Sequence, residues 1–323
     1  MPIKFYENEK IFKLDTSKSS YIFEIFEENY LIHLYYGAKI PDINLKQHRY
    51  KGGFASQAPM NANIDDERFS PDIAPFEYPC EGCGDLRESA FSVRNKDGNN
   101  ATDLRYVSHR IYDGKPGIEG MPSLYVTDDS QAQTLEVLMR DSVTGIEATL
   151  FYTVFENYSA MTRRVSVSNK SDSPCDIERI YSACVDFNTC NFDMIGNYGR
   201  WGKERSTERF ALSHIRQGFS SKRGGSSHAH NPFGAIVEKG ANEEYGSAYG
   251  FNFVYSGNFD FNAEVDTHGG TRVLMGINPE AFGWRLESGE TFDAPEVVMV
   301  YSKEGIGGMS RTFHKLYSNH LIR

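Results

Sequence analysis

"TLEVLMRDSVTGIEATLFYTVFEN", residues 134–157, contains two runs of alternating side chains joined by a short Ser-Val-Thr-Gly turn. One face of the second run carries Ala148, Leu150, Tyr152 and Val154. Successive side chains of a strand point to opposite faces, and here the side chains between these four are also largely apolar. The stretch therefore predicts an antiparallel hairpin whose second strand is covered by a layer on each side.

The same strand pattern recurs along the chain, at residues 21–40, 162–187, 249–266, 271–277 and 295–302. Turn signals separate the runs, such as "NKSDSP" inside the second of these ranges and the glycine pair just before the fourth. No helical pattern lies between the runs. The sequence therefore predicts an all-β fold, a large antiparallel β-sandwich.

One helix is predicted, in "GGMSRTFHKLYSNHLIR" at residues 307–323. On helical spacing its apolar side chains fall on one side, namely Met309, Phe313, Leu316, Tyr317 and Leu321. An apolar stripe on a short helix needs a partner surface that buries it.

Composition limits the classes of function. The 323 residues carry a net charge of −10, which repels phosphate backbones and anionic membranes, so we expect neither nucleic acid nor membrane partners. The beginning of the chain lacks the apolar core of a signal peptide, and no run is long enough to span a bilayer. These features predict a cytoplasmic protein.

The five cysteines include a CxxC pair, Cys80 and Cys83. A structural zinc site needs a second close pair, which the sequence lacks, and Pro and Gly interrupt the strand and helix that a thioredoxin-like site requires. We interpret the pair as two free thiols in a turn.

Two stretches, residues 48–90 and 193–233, have few alternating runs. Their Trp, Tyr, Arg and His content is untypical of disorder, so we expect ordered functional loops. In the second stretch, His228 and His230 have the spacing of two metal ligands on a strand, but no third ligand is evident. We favour histidines that form hydrogen bonds in a loop, and we predict no metal.

"RWGKERSTERF", residues 200–210, has two interpretations from its residues alone. It is either a solvated, self-paired charge run, or a loop in which Trp201 offers its ring for stacking on a sugar. The chain also lacks a recognisable catalytic carboxylate pair, nucleophile elbow, phosphate loop or dinucleotide fingerprint, so no cofactor is predicted.

Seven ordered segments resemble the N-terminal region of bacterial α-galactosidases of glycoside hydrolase family 36. They are "EYPCEGCGDLR", "TDLRYVSHRIYDGKP", "GRWGKERSTERF", "SSHAHNPFGAI", "YGFNFVYSGNF", "INPEAFGWRLESGETFDAPEVVMVYS" and "GGMSRTFHKLYSNHLIR". The resemblance implies a β-supersandwich over residues 1–303 and a linker helix over 304–323 that leads to a (β/α)8 barrel. Both catalytic aspartates of the family lie in that barrel, so the resemblance implies no catalytic residue in this chain.

The resemblance also implies roles for individual residues. Trp201 and Arg205 are expected to bind substrate, whereas the residues expected to face the barrel or form the pocket rim are Tyr198, His228, His230 and Asn231. In tetrameric members a loop of the neighbouring subunit reaches the pocket and contributes an acid. The corresponding stretch here, "RYKGGFASQAP" at residues 49–59, carries Lys51 and no acid.

The resemblance implies that the partners are α-galactosides of melibiose or raffinose type, the protein's own barrel and further copies in a homo-oligomer. It leaves open whether the parent cleaves α-galactose or α-N-acetylgalactosamine. Two alternatives for the chain are a stand-alone carbohydrate-binding module and a structural assembly domain. Without a barrel, the helix face that includes Met309, Phe313, Leu316 and Tyr317 is expected to be uncovered and to cause self-association.

Overall fold

The structure, a computed structural model, describes residues 1–49 and 69–322. The strands in this part of the chain are β1 Ile3–Tyr6, β2 Ile11–Asp15, β3 Ser19–Ile25, β4 Leu31–Ala38, β5 Phe91–Arg94, β6 Arg105–Asp113, β7 Gln133–Arg140, β8 Ile146–Phe155, β9 Ala160–Asn169, β10 Cys175–Phe187, β11 Phe192–Arg200, β12 Lys203–Ala211, β13 Arg216–Ser220, β14 His230–Glu238, β15 Ala248–Phe253, β16 Phe259–Val265, β17 Thr271–Ile277, β18 Trp284–Leu286, β19 Thr291–Asp293 and β20 Val297–Ser302. The α-helix α1 spans Gly305–His320, and short 3-10 turns lie at Glu27–Asn29, Leu45–His48, Asp129–Gln131 and Glu156–Tyr158.

The strands form three sheets. A four-stranded sheet has the order β1-β2-β3-β4, and a six-stranded sheet has the order β13-β16-β17-β10-β18 with β5 also paired to β10. A ten-stranded sheet has the order β12-β11-β14-β15-β20-β9-β8-β7-β6 with β19 paired to β9. The pairings between these strands are antiparallel. The predicted all-β antiparallel sandwich is confirmed.

The main core lies where the inner faces of the three sheets meet. On β8 the predicted face of alternating side chains is buried in this core, with Leu150 1% exposed and Tyr152 fully buried. The opposite face of β8 is also covered, because Phe155 is buried in a second apolar cluster and the Arg164 guanidinium lies 3.5 Å from the centroid of the Phe151 ring. Both faces of this strand are therefore packed, as its sequence predicts.

The helix α1 packs on the outer face of the ten-stranded sheet, against β20 and β15. Met309, Phe313 and Leu316 are at most 5% exposed and belong to the second apolar cluster. Gly250 on β15 allows this contact, because a Cβ there would lie 2.5 Å from the Phe313 ring. The expectation that this helix face is uncovered is therefore wrong, since the chain's own sheet covers it.

The expectation of irregular loops over residues 193–233 is also wrong for most of that stretch. It contains most of β11, all of β12 and β13, and the beginning of β14. The outer part of the β11–β12 hairpin extends at the edge of the ten-stranded sheet, where the side chains of β12 are largely exposed on both faces. An edge strand with polar side chains on both faces lacks the apolar alternation that identifies a strand.

In the other stretch that we expected to be irregular, residues 50–68 lie outside the described part of the chain. Residues 69–90 form turns and isolated bridges without a regular strand, and they are nevertheless packed, with Phe76, Tyr78 and Ala90 buried. Across residues 1–49 and 69–322, no helix combines the length and the apolar character needed to span a bilayer. The boundary at residue 303 stays a prediction.

Candidate functional site

The candidate site is centred on the tip of the β11–β12 hairpin. Trp201 and Gly202 form the two-residue connection between Arg200 and Lys203, which are paired in register. Gly202 has φ +72°, a left-handed conformation that glycine adopts without steric cost. The Trp201 side chain is 89% exposed. A large aromatic ring is thus exposed to solvent at the tip of the hairpin.

Arg205 lies next to this tip in a strained backbone conformation. Its φ is +56°, in the left-handed region. The β11–β12 register shifts here, with Tyr198 opposite Ser206 but Arg200 opposite Lys203, so β12 contains one extra residue. Gly199 lies against this bulge, where a Cβ would be 2.5 Å from the Lys203 carbonyl oxygen. The bulge therefore places Arg205, which is exposed, beside the tryptophan turn.

Tyr198 and His230 lie on the same face of the sheet, because they are directly paired between β11 and β14. Tyr198 is 41% exposed. The His230 ring stacks on Phe219 of β13, with ring centroids 5.9 Å apart and planes at 25°. The two predicted rim residues thus share one surface. From this surface, β11 continues to the turn that carries Trp201.

His228 and Asn231 lie beside this surface in different environments. His228 is exposed and precedes β14, so only His230 of the two histidines lies on a strand. Asn231 is partly buried, and its Oδ1 has no hydrogen-bond partner among the described residues. Within residues 1–49 and 69–322, no group of three or more His, Cys, Asp or Glu side chains is arranged to hold a metal ion.

The loop before β14 is held by its own hydrogen bonds. The Gly224 amide donates to Asn258 Oδ1 at 2.8 Å, and the Ser226 amide donates to the Ser256 carbonyl at 2.6 Å. The Gly199 amide donates to the Ala229 carbonyl at 3.2 Å, which joins the loop to the hairpin. The expectation of an ordered loop is confirmed for this segment.

A polar connection links the rim to α1. The Tyr317 hydroxyl donates to Asn252 Oδ1, and Asn252 Nδ2 donates to the Pro232 carbonyl at 2.6 Å. Next to it, the Phe313 ring meets the Phe233 ring edge to face at 5.7 Å. The sequence analysis does not identify Asn252 as a site residue. The signal that could have identified it is a polar side chain inside the otherwise apolar run of β15.

The pKa shifts that are resolved for carboxyl groups of the described residues all have the same direction. A glycosidase acid needs a raised pKa, but the carboxyl pKa shifts that are resolved in the described residues are downward, at Asp42, Glu77, Asp85, Asp128 and Glu304. In the CxxC turn, burial raises the pKa of both thiols, and Cys83 Sγ donates to the Cys80 carbonyl at 2.9 Å. Both thiols are free, as predicted.

Fold and site together define a large antiparallel β-sandwich domain with a docked C-terminal helix and an aromatic hairpin on its rim. A sequence model of the glycosyl hydrolase family 36 N-terminal domain matches residues 29–287. The chain belongs to this family, as its N-terminal domain, which confirms the resemblance seen in the sequence.

Relatives of the chain include α-galactosidases. The chain is 43% identical over 325 residues to α-galactosidase AgaA of Geobacillus stearothermophilus, covering 100% of this chain and 44% of that protein. The crystal structure of the family 36 α-galactosidase AgaB from the same organism matches with a TM-score of 0.94, at 43% identity, over 100% of this chain and 44% of that one. A variant of AgaA in complex with raffinose matches with a TM-score of 0.93, at 44% identity, over 97% of this chain and 44% of that one. The chain thus spans less than half the length of these relatives.

The stretch of residues 49–59, in which the sequence departs from tetrameric members, lies outside the described part of the chain except for Arg49. Arg49 contacts both carboxylate oxygens of Glu24 at 2.6 Å. The expected departure at Lys51 therefore stays a prediction from the sequence.

Proposed function

We propose that the chain is the accessory β-sandwich domain of a retaining α-galactosidase that hydrolyses terminal α-galactosides of melibiose or raffinose type. The observation that carries the proposal is the 43% identity with AgaA across the whole of this chain. In this proposal residues 1–303 form the sandwich, and residues 304–323 form the linker helix to a (β/α)8 barrel. The protein acts in the cytoplasm.

The domain's role is to shape the rim of the sugar pocket. The exposed Trp201 ring offers an apolar face to a pyranose on the leaving-group side of the substrate, and Arg205 binds the same part of the sugar. Tyr198, His228 and His230 form the adjoining rim. The partnerless Oδ1 of Asn231 supports a contact of this edge with the barrel.

The domain has no hydrolytic activity by itself. A retaining glycosidase needs two carboxyl groups about 5–5.5 Å apart, one of them with a raised pKa. In this proposal both carboxyl groups lie in the barrel, outside these residues. Its partners are its own barrel and further copies in a homo-oligomer, and the net charge of −10 argues against nucleic acid and anionic membranes.

An assay of the purified chain with p-nitrophenyl-α-galactoside, over hours at high protein concentration, tests the absence of catalysis. We expect no turnover above a mock-purified control. Turnover would show that catalytic carboxylates lie within these residues, and it would overturn the proposed accessory role.

The rim role is tested in a chimera in which this chain replaces the matching part of AgaA. We expect the Trp201→Ala chimera to have a raised KM for raffinose and a nearly unchanged KM for p-nitrophenyl-α-galactoside, which lacks the additional sugars. Trp284→Ala is the matched control, because Trp284 is the other tryptophan and lies on β18, in a different sheet from the hairpin. Unchanged raffinose kinetics in a folded Trp201→Ala chimera would favour a purely structural assembly domain.

The exposed Trp201 ring also favours a second candidate, a carbohydrate-binding module that acts without a barrel. In that case the chain alone would bind raffinose, and Trp201→Ala would abolish binding. Titration calorimetry of the purified chain and this variant separates the two candidates.

A further inference from the structure

A cleft of about 440 Å³ lies where the three sheets meet, at the opposite end of β11 from Trp201. Its walls come from β4, from the turn Leu45–His48, from residues 186–192 and from the facing ends of β14 and β15. Its volume falls in the range of small-molecule sites, roughly 300–1,000 Å³. Because eight residue steps at about 3.3 Å separate Phe192 from Arg200, the cleft is roughly 26 Å from the hairpin tip.

The floor of the cleft is aromatic. Its rings belong to Tyr36, Phe187, Phe192 and Tyr249. The Tyr249 ring meets Phe187 edge to face at 4.9 Å and Tyr36 at 5.4 Å, so the rings fix one another. Preorganised aromatic rings of this kind provide an apolar surface for the C–H face of a sugar ring.

Two tyrosine hydroxyls of this floor are available to a ligand. Tyr36 is 5% exposed and Tyr249 is 8% exposed. Neither hydroxyl forms a hydrogen bond with a described residue. Solvent still reaches both oxygens, because neither is among the fully buried polar atoms without a partner in the described part of the chain. By contrast, the Tyr35 hydroxyl donates to the Ala38 carbonyl at 2.8 Å, and the Tyr301 hydroxyl lies 3.4 Å from Ser247 Oγ.

Burial raises the pKa of both Tyr36 and Tyr249, so both hydroxyls remain protonated donors at neutral pH. An acceptor oxygen of a ligand in the cleft can therefore take a hydrogen bond from each of them.

The charges around the cleft oppose an anionic ligand, since the described lining includes the exposed carboxylate of Glu238. The one cation among its described lining residues is Arg49, which pairs with Glu24. The Asp186 carboxylate is held by Arg272, with contacts of 2.8 and 2.9 Å. Uncharged amide and hydroxyl groups supply most of the remaining rim, from Gln47, Asn188, Thr189 and Asn191.

We propose that this cleft is a second carbohydrate site, which binds a neutral saccharide of one or two pyranose rings. The hydroxyls of Tyr36 and Tyr249 donate to sugar oxygens, the aromatic floor packs on the apolar face of the ring, and the rim amides bind the outer hydroxyls. The site does not depend on the proposed pocket-rim role, because it lies at the other end of β11.

The test is titration of the purified chain with raffinose, by calorimetry and by saturation-transfer NMR. We compare the parent chain with the double variant Tyr36→Phe and Tyr249→Phe, with Tyr301→Phe as a control outside the cleft, and with Trp201→Ala. We expect the parent to bind. The double variant should raise the Kd about tenfold, since two hydrogen bonds are lost, whereas the Tyr301 variant should keep the parent value.

The thermal midpoint is a second readout. Removal of two hydroxyls without protein partners should leave the midpoint unchanged or higher, so weaker binding would not reflect unfolding. The proposal is overturned if the parent does not bind raffinose, if the folded double variant keeps the parent Kd, or if Trp201→Ala alone abolishes binding.

Discussion

Arg205 adopts a left-handed backbone, φ +56°, in the β12 bulge beside the exposed Trp201. For a residue with a Cβ, this conformation costs about 1–2 kcal/mol relative to the ordinary regions. Packing within the hairpin maintains the bulge, so the left-handed conformation of Arg205 lowers the stability of the native state. Strain of this kind concentrates at functional sites, which agrees with the proposed rim role.

Replacement of Arg205 by glycine should therefore stabilise the chain, by about 1 kcal/mol, because glycine accepts a positive φ. Thermal and urea unfolding measure the change. Lys203→Gly is the matched control, since Lys203 is an equally exposed residue of the same strand without a positive φ, and there glycine should destabilise by about 0.5–1 kcal/mol. Equal destabilisation by both changes would contradict the strain argument.

At this scale the sequence identifies candidate residues by chemical type but not by conformation. Trp201 was evident as a rare aromatic in a polar segment, and its exposure follows from the two-residue turn. The positive φ of Arg205 and the contact between Tyr317 and Asn252 were not predictable, because each depends on packing between segments distant in sequence or on a register shift.

At the scale of elements, α1 is stabilised by the sheet beneath it. Three of its apolar side chains are buried in the second cluster, and its exposed face carries charged and polar residues such as Arg311 and Lys315. The 3.6-residue periodicity was sufficient to predict this helix and its apolar face. It could not show that the chain's own β15 and β20 cover that face, because periodicity does not identify the partner.

Truncation of Phe313 tests the docking of the helix. Phe313→Ala should lower the free energy of unfolding by about 3–5 kcal/mol, since the ring is buried against Phe233 and Gly250. His314→Ala, one residue later on the exposed face, should change it by less than about 0.5 kcal/mol. Chemical denaturation compares the two variants, and a similar small effect for both would show that the helix is not docked.

Gly250 tests the same contact from the sheet side. A Cβ at this position would lie 2.5 Å from the Phe313 ring and 2.7 Å from Met309 Sδ. Gly250→Ala should destabilise the chain by about 1–3 kcal/mol through overpacking. The double variant Gly250→Ala with Phe313→Ala should be less destabilised than the sum of the two single changes, because the truncated side chain makes room for the methyl group. Additive effects would contradict direct contact.

At the scale of the whole molecule, one buried polar network joins the three sheets. Glu77 accepts hydrogen bonds from Tyr21 of β3 at 2.6 Å and from Tyr152 of β8 at 2.7 Å. Arg163 of β9 contacts Glu77 Oε1 at 3.1 Å and donates to the Cys184 carbonyl of β10. The sequence predicted the layers, but it could not show which charged residues lie between them, because a buried pair has no periodic signal.

This network makes stability depend on pH. Burial alone would raise the pKa of Glu77, but the Arg163 charge and the hydrogen bonds from His33 and Tyr21 outweigh it and lower the pKa below the ordinary value of 4.5. A carboxyl whose pKa is lowered by folding contributes stability that is fully present above its unfolded pKa and is lost as the pH falls through the folded pKa. The lowered pKa values of Asp42 and Asp85 act in the same direction.

We therefore expect the free energy of unfolding to be level near neutral pH and to fall below about pH 4.5, as urea titrations across that range would show.

Glu77→Gln should lower the free energy of unfolding by about 3–5 kcal/mol at neutral pH, because it leaves the Arg163 charge buried without its counter-ion. The same change should make the acid slope shallower, because one of the groups that takes up a proton on unfolding is gone. Glu119→Gln, at an exposed position, should alter neither quantity. If the Glu77 variant kept the parent slope, its carboxyl would not carry the acid sensitivity, and the fall would belong to Asp42, Asp85 or other carboxyls.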